Sequence, residues 1–462
     1  MAVSAASLLS SSALANTETI SVPQIVNETT LQEVRNRLES YNEFFLTELG
    51  AIWVDGVQLD LSNVKLTGNH VRLQVGGTDF PYQNAQAISS GGSLTVGSIT
   101  ATGTNIIHVI GTTNRDSTLT VKGDINASNL DVWIDGQNTN TSTKVSVEGN
   151  FTETEDSKVG VQYNGILEVK GGLTVNISNE GGFYIANSKN VPVSLKVGKD
   201  FTFSNHITKN NKFDPNDLFF DASIGTAAAE IGGDFILQGV NDAPTTYFQI
   251  ANSKAAGVKV ANIQVIGSDN NTTSLLFSRF SIVNVGSGNG VIELKPDGNN
   301  SKVQLFIGES DYKAKSVLAS ELKMNQSEGS DGVSVYLNNN EGATPPTVNN
   351  KFYLNDGIVS LEGSNGQDFN YSTYCSGATV DLTFSKDSSF YSVIYGSRND
   401  ISDFNKPLET RVENVGDSNS NTVKINLSEE GALWRGTLIM GGRSAQAEGL
   451  SLNNQKGYST NF

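Results

Sequence analysis

The sequence is poor in the residues that most often carry chemistry or cross-links. It holds a single cysteine, Cys375, and three histidines, His70, His108 and His206, far apart in the chain. One cysteine excludes an internal disulfide. Isolated histidines exclude a His-rich metal motif, because a metal site needs three or four converging ligands. No metal and no cofactor is therefore expected. Basic residues are also scarce, with Lys+Arg 31 against Asp+Glu 48 and a net charge of −17, and no basic run occurs. Nucleic-acid binding needs clustered Lys and Arg, so that class of partner is excluded. No stretch approaches the ~20 apolar residues of a membrane helix. Phe462 closes the chain, but residues 454–461 lack the alternation of a lipid-facing strand, and a barrel needs at least eight strands of ~10 residues. There is no Gly-rich phosphate loop and no serine nucleophile elbow.

What fills the sequence instead is Gly, 46 residues, with abundant Ser, Thr and Asn, while charged residues make up only 17%. That mix suits many short strands joined by turns and argues against a helical protein. A phrase recurs: an alternating apolar pair, a Gly/Asn/Asp turn, then a large apolar residue. It reads Leu119-Thr120-Val121-Lys122-Gly123-Asp124-Ile125, then Val145-Ser146-Val147-Glu148-Gly149-Asn150-Phe151, then Leu167-Glu168-Val169-Lys170-Gly171-Gly172-Leu173. With weaker copies added, the anchoring Val or Ile falls at 75, 96, 121, 147, 169, 197 and 231, in steps of 21, 25, 26, 22, 28 and 34. A strand–turn–strand unit at a loose period in the twenties predicts an all-β chain, a right-handed parallel β-helix (β-solenoid). At ~4.8 Å per coil and ~26 residues per coil, it would form a rod of roughly 70 Å.

Four segments follow. Residues 1–15 end in Ala13-Leu14-Ala15, a small-x-small form that predicts the back half of a signal peptide, cleaved at Ala13 and Ala15. Residues 16–50 are expected to form a helical cap. Within them an amphipathic helix is predicted from Thr30 to Leu49, with Thr30 and Glu33 as a capping box and Leu31, Val34, Leu38, Tyr41, Phe45 and Leu49 as one stripe. Its expected role is to cover the open end of the solenoid. Residues 51–300 are the regular β-helix, and 301–462 a less regular continuation.

β-helices often cleave acidic polysaccharides, so the sequence is weighed for that chemistry. Asp131-Val132-Trp133-Ile134-Asp135-Gly136 resembles the Val-Trp-Ile-Asp-His signature of pectate lyases over four positions, with Gly136 where the histidine stands. The paired aspartates and the Gly-His-Gly of polygalacturonases are absent. In a coil, Val132 and Ile134 would point inward and Trp133 outward, or the reverse. Asp269-Asn270-Asn271 and Asp297-Gly298-Asn299-Asn300 admit two readings, calcium loops or stacked asparagine turns. No catalytic residue is assigned. The binding candidates are aromatics in the C-terminal section, Tyr371, Tyr374, Tyr391 and Tyr395, which stack on a sugar or protein partner if they face outward.

Together, the signal-like Ala13-Leu14-Ala15, the helix before the coils, the Val-x-Gly-(Asp/Asn/Gly)-apolar phrase and Gly431-Ala432-Leu433-Trp434-Arg435-Gly436-Thr437 resemble the passenger region of bacterial autotransporters. That resemblance implies a secreted or cell-surface, non-enzymatic protein that displays loops for adhesion. It also implies a host or bacterial surface protein or glycan as partner, and an outer-membrane translocator barrel on a further part of the chain or on a separate chain. Two alternatives stay open: a polysaccharide-degrading β-helix enzyme whose carboxylates converge from separate coils, and a trimeric phage or envelope spike.

Overall fold

The computed structural model describes residues 16–306 apart from 39, 78–89, 114, 138–140, 156, 179–181, 186–192, 207–221, 225–227, 252–256 and 279–281; beyond 306 it describes the backbone of strands reaching Asn454. The strands pair in parallel and in register from coil to coil. Each coil has three sides. Strands Ile125–Ser128, Leu130–Asp135 and Thr143–Val147 make one coil, and each pairs with its counterpart 22 to 27 residues further on. The second face is a 13-stranded sheet of its own, starting at Pro23–Val26. The first and third faces merge into one sheet because the long strands Gln58–Gly68 and Gly92–Ala101 bend across the corner between them. The chain is a parallel β-helix. After residue 307 the first-face stack runs on through Glu321–Asn325, Asn350–Asn355, Thr379–Phe384, Thr422–Leu427 and Leu450–Asn454.

Strand alternation sends every second residue inward, and these residues form one core from Ile20 to Leu305. Its densest part is aromatic. Phe183, Phe201, Phe203, Phe235 and Phe248 pack within three coils, with ring centroids 4.8 Å apart for Phe203–Phe248 and Phe235–Phe248.

The recurring phrase is the corner between the third and first faces. Val96, Val121, Val147, Val169, Val197 and Ile231 stack in one inward column. Ile99, Ile125, Phe151, Leu173, Phe201 and Phe235 stack in the next. From Val121 to Phe235 a three-residue turn lies between them, and its backbone is stacked as well: Gly149 N–H donates to the Gly123 carbonyl (3.1 Å) and Gly171 N–H to the Gly149 carbonyl (2.9 Å). The coils approach so closely that a Cβ on Gly149 would lie 2.7 Å from the Gly123 carbonyl carbon. The Asp or Asn that follows binds upward. Asp124 Oδ1 accepts from Asn150 N–H (2.7 Å), and Asn150 Oδ1 accepts from Gly172 N–H (2.9 Å). Asp200 and Asp234 repeat the contact (2.9 Å). From 121 to 235 the phrase recurs because the coils approach too closely at this corner for a side chain at its glycines.

One anchor is misplaced by the sequence pattern. Val75 belongs to the second face, in strand Arg72–Val75 beside Val54 and Val109. The true partner below Val96 is Leu61. Leu73-Gln74-Val75-Gly76-Gly77 mimics the phrase because any inward pair followed by a Gly turn has the same spelling.

The helix is shorter than its stripe suggests. It runs Leu31–Leu38, with Val34 and Leu38 buried. Thr30 and Glu33 form no capping box. Instead Asn27 Oδ1 accepts from the Thr29 and Thr30 N–H groups, and Thr30 Oγ1 donates to the Ile25 carbonyl. Beyond Leu38 the period changes from helix to strand: Glu43–Leu46 buries Phe44 and Leu46 and leaves Phe45 40% exposed, while Leu49 is 67% exposed. The coils also start earlier than residue 51, since Thr17–Ile20 pairs with Glu43–Leu46 and Pro23–Val26 with Ala51–Val54. The helix takes the third-face place in the first coil, where Arg35 Nη2 donates to the Gln58 carbonyl (2.9 Å) at the edge of the strand above. An unpaired strand edge is thereby met by a side chain.

Candidate binding face

The residues that converge on one surface come from the second face, coil by coil. In Leu130–Asp135 the inward residues are Leu130, Val132 and Ile134, all buried. Asp131, Trp133 and Asp135 therefore point outward, as one of the two sequence alternatives has it. Register sets their neighbours. Trp133 lies between His108 and Gly160, with Tyr184 one strand further on. Asp131 lies between Ile106 and Lys158, and Asp135 between Ile110 and Gln162. Adjacent strands are ~4.8 Å apart and alternate residues along a strand ~7 Å apart, so these side chains tile a patch of roughly 13 by 14 Å.

Gly160 shapes the centre of this patch. A Cβ there would run into the six-membered ring of Trp133, so the missing side chain is what lets the indole lean across the next strand. The ring is half-buried. Its N–H has no hydrogen-bond partner among the described residues, and neither has the exposed Lys158 ammonium. His108 Nε2 stands 3.9 Å from Asp131 Oδ2, the outer limit of an ion pair. Asp135 is held more firmly, accepting from Gln162 Nε2 (3.0 Å) and from the Gln137 N–H (2.8 Å).

Inside the wall near Asp131 is a group that the strand pattern makes visible only as an anomaly. Glu153 occupies an inward position between Ala127 and Val175 and is fully buried. Neither carboxyl oxygen has a partner among the described residues. Burial, and after it the Asp131 charge, push its pKa well above the usual carboxylate range. It is enclosed in the core and faces no open groove.

Three chemical readings of the sequence can be set against this geometry. Asp131 and Asp135 are four residues apart, about 13 Å along a strand, wider than the ~5–9.5 Å of glycosidase carboxylate pairs. The position where pectate lyases carry histidine is Gly136, and a Cβ there would run into the Tyr163 carbonyl. The Asn-rich turns are ladders: Asn270 Nδ2 donates to Asp242 (2.8 Å), Asn300 Nδ2 donates to Asn270 (2.9 Å), and Asn299 N–H donates to Asp269 (2.7 Å). Among the described residues no group of three or more His, Cys, Asp or Glu is placed to hold a metal ion.

The aromatics singled out in the sequence lie elsewhere. Tyr371, Tyr374 and Tyr395 fall outside the described residues, as do Ala13, Ala15 and Cys375. Tyr391 ends strand Ser389–Tyr391, which pairs with Leu433–Arg435, but its side chain is outside the description. The pairing of His108 with Asp131 escapes sequence reading because the two are on separate coils. The signal that reveals it is the register itself, in which Trp133 falls directly above His108.

No protein-family model matches the chain, and no curated protein or solved structure matches it.

Proposed function

We propose that the chain is a non-enzymatic, exported β-helix that displays its faces and connections for adhesion at a bacterial surface, as an autotransporter-like passenger. The observation that carries this reading is the contrast between corners. The third-to-first corner keeps three residues in five successive coils, at 122–124, 148–150, 170–172, 198–200 and 232–234, and changes only after that, to 261–262 and 286–290. The connections at the other two corners are far less even, from the single residue 129 to the long stretch 76–91. A body built this way grows lengthwise on an unchanged core while its connections vary, which suits display. Stacking coil upon coil also lets the fold propagate from an end, in keeping with emergence through a translocator barrel. Several outward carboxylates are engaged in structural bonds, Asp124, Asp135, Asp200 and Asp234 among them. That supports passive binding over acid–base catalysis.

The test is retention of the fluorescently labelled full chain on intact bacterial and host cells, before and after protease or periodate treatment of those cells. Saturable retention, abolished by one of the two treatments, is the expected result. No saturable retention on any surface would overturn the reading.

A further inference from the structure

Resting on the adhesive reading, we propose that the second-face patch centred on Trp133 is a binding site for a neutral pyranose polymer. The ligand class follows from the groups present. An indole leaning over Gly160 offers an apolar ring to the C–H face of a sugar, and a tryptophan with one wet side also presents its polar N–H. Around it stand groups suited to sugar hydroxyls: the Trp133 N–H, the Lys158 ammonium, the His108 imidazole and the outward-facing Asp131 carboxylate. The groups lie on neighbouring parallel strands backed by the core, so their backbone positions are set before any ligand arrives, and the exposed Lys158 is the side chain that binding must order.

Register extends the site along the rod. Tyr184 lies two strands from Trp133, a backbone spacing of about 10 Å, in the same outward column, and the indole that covers Gly160 reaches towards it. A chain of linked rings can therefore pass from one aromatic to the next. Charge selects against acidic polymers. Within the patch Lys158 sits beside Asp131 and offsets it, so the selection rests on Asp135 and on the −17 of the molecule as a whole: a uronate chain meets repulsion that a neutral glucan, mannan or xylan does not.

The test is affinity electrophoresis of the full chain in native gels containing neutral glucan, mannan or xylan, or polygalacturonate, with Kd values from titration of soluble oligosaccharides. Wild type should be retarded by at least one neutral polymer and not by polygalacturonate. Trp133→Ala should weaken binding at least tenfold, and Trp133→Tyr should restore part of it. Gly160→Ala keeps the tryptophan but adds a Cβ under its ring, and should weaken binding as well. Each variant is compared with wild type by circular dichroism and thermal midpoint. Should Trp133→Ala fail to fold, Gly160→Ala decides the matter. Unchanged affinity in folded Trp133→Ala or Gly160→Ala would overturn the site. Retardation by polygalacturonate alone would overturn the ligand class. Absence of binding to every neutral polymer would overturn the proposal, while saturable cell retention of the same protein would leave the adhesive reading standing.

Discussion

Glu153 is the residue most at odds with its surroundings. An inward glutamate between Ala127 and Val175 has no compensating bond among the described residues, and its raised pKa keeps it protonated where other carboxylates are charged. A carboxyl raised on folding stabilises fully below its unfolded value, near 4.5, and that contribution is lost as pH rises through the folded value. Glu153→Gln should therefore raise the thermal midpoint relative to wild type at pH 8, with the gap narrowing at pH 4. Parallel melts at the two pH values check this; a gap independent of pH would contradict it. Glu168 has the opposite sign. A hydrogen bond from Lys144 lowers its pKa, so its contribution appears above the ordinary carboxylate value and fades as pH falls. Both partners are about a third exposed, which limits the effect to roughly 0–1 kcal/mol. Phe248 is the simplest core probe: it contacts Phe183, Phe201, Phe203 and Phe235 and is fully buried. Phe248→Ala should cost about 3–5 kcal/mol, read as a lower urea midpoint.

At the scale of elements, the corner turn is the unit that repeats, and it yields the sharpest structural prediction. Gly149→Val puts branched carbon against the Gly123 backbone, which cannot retreat without breaking the coil below. It should destabilise more than Asn150→Ala, which removes the acceptor for the Gly172 N–H and should cost about 1 kcal/mol. Chemical denaturation of the two variants beside wild type checks the order. The same turn shows what is legible in the sequence. Its spelling is forced by steric closeness and backbone pairing, so both leave a mark in the residues. The helix was harder to place because Leu31 to Leu49 satisfies two periods at once. Helical spacing includes Phe45 and Leu49, while the alternation of Phe44 and Leu46 writes a strand, and tertiary pairing with Thr17–Ile20 and Lys65–Gly68 decides for the strand. That Trp133 faces opposite to Val132 and Ile134 is legible in the alternation, but its neighbours are not, since register between coils depends on loop lengths that obey no pattern.

The whole molecule is an extended, continuously paired surface with an unequal set of corners. Thirteen strands in the second face at ~4.8 Å give that sheet a length of about 60 Å, near the expectation from the period. Its three-sided section was not foreseen from the period alone, because two of the three corners vary too much to repeat. The proposed function belongs to this scale, in what the wall presents: binding of polysaccharide without cutting it. The most direct measurement is a mass balance: the full chain incubated with a neutral polysaccharide, followed by co-sedimentation and by the size profile and chain ends of the sugar. The account predicts protein in the polysaccharide pellet and a polymer of unchanged length. Shortened chains or new unsaturated ends would contradict it and make the β-helix an enzyme.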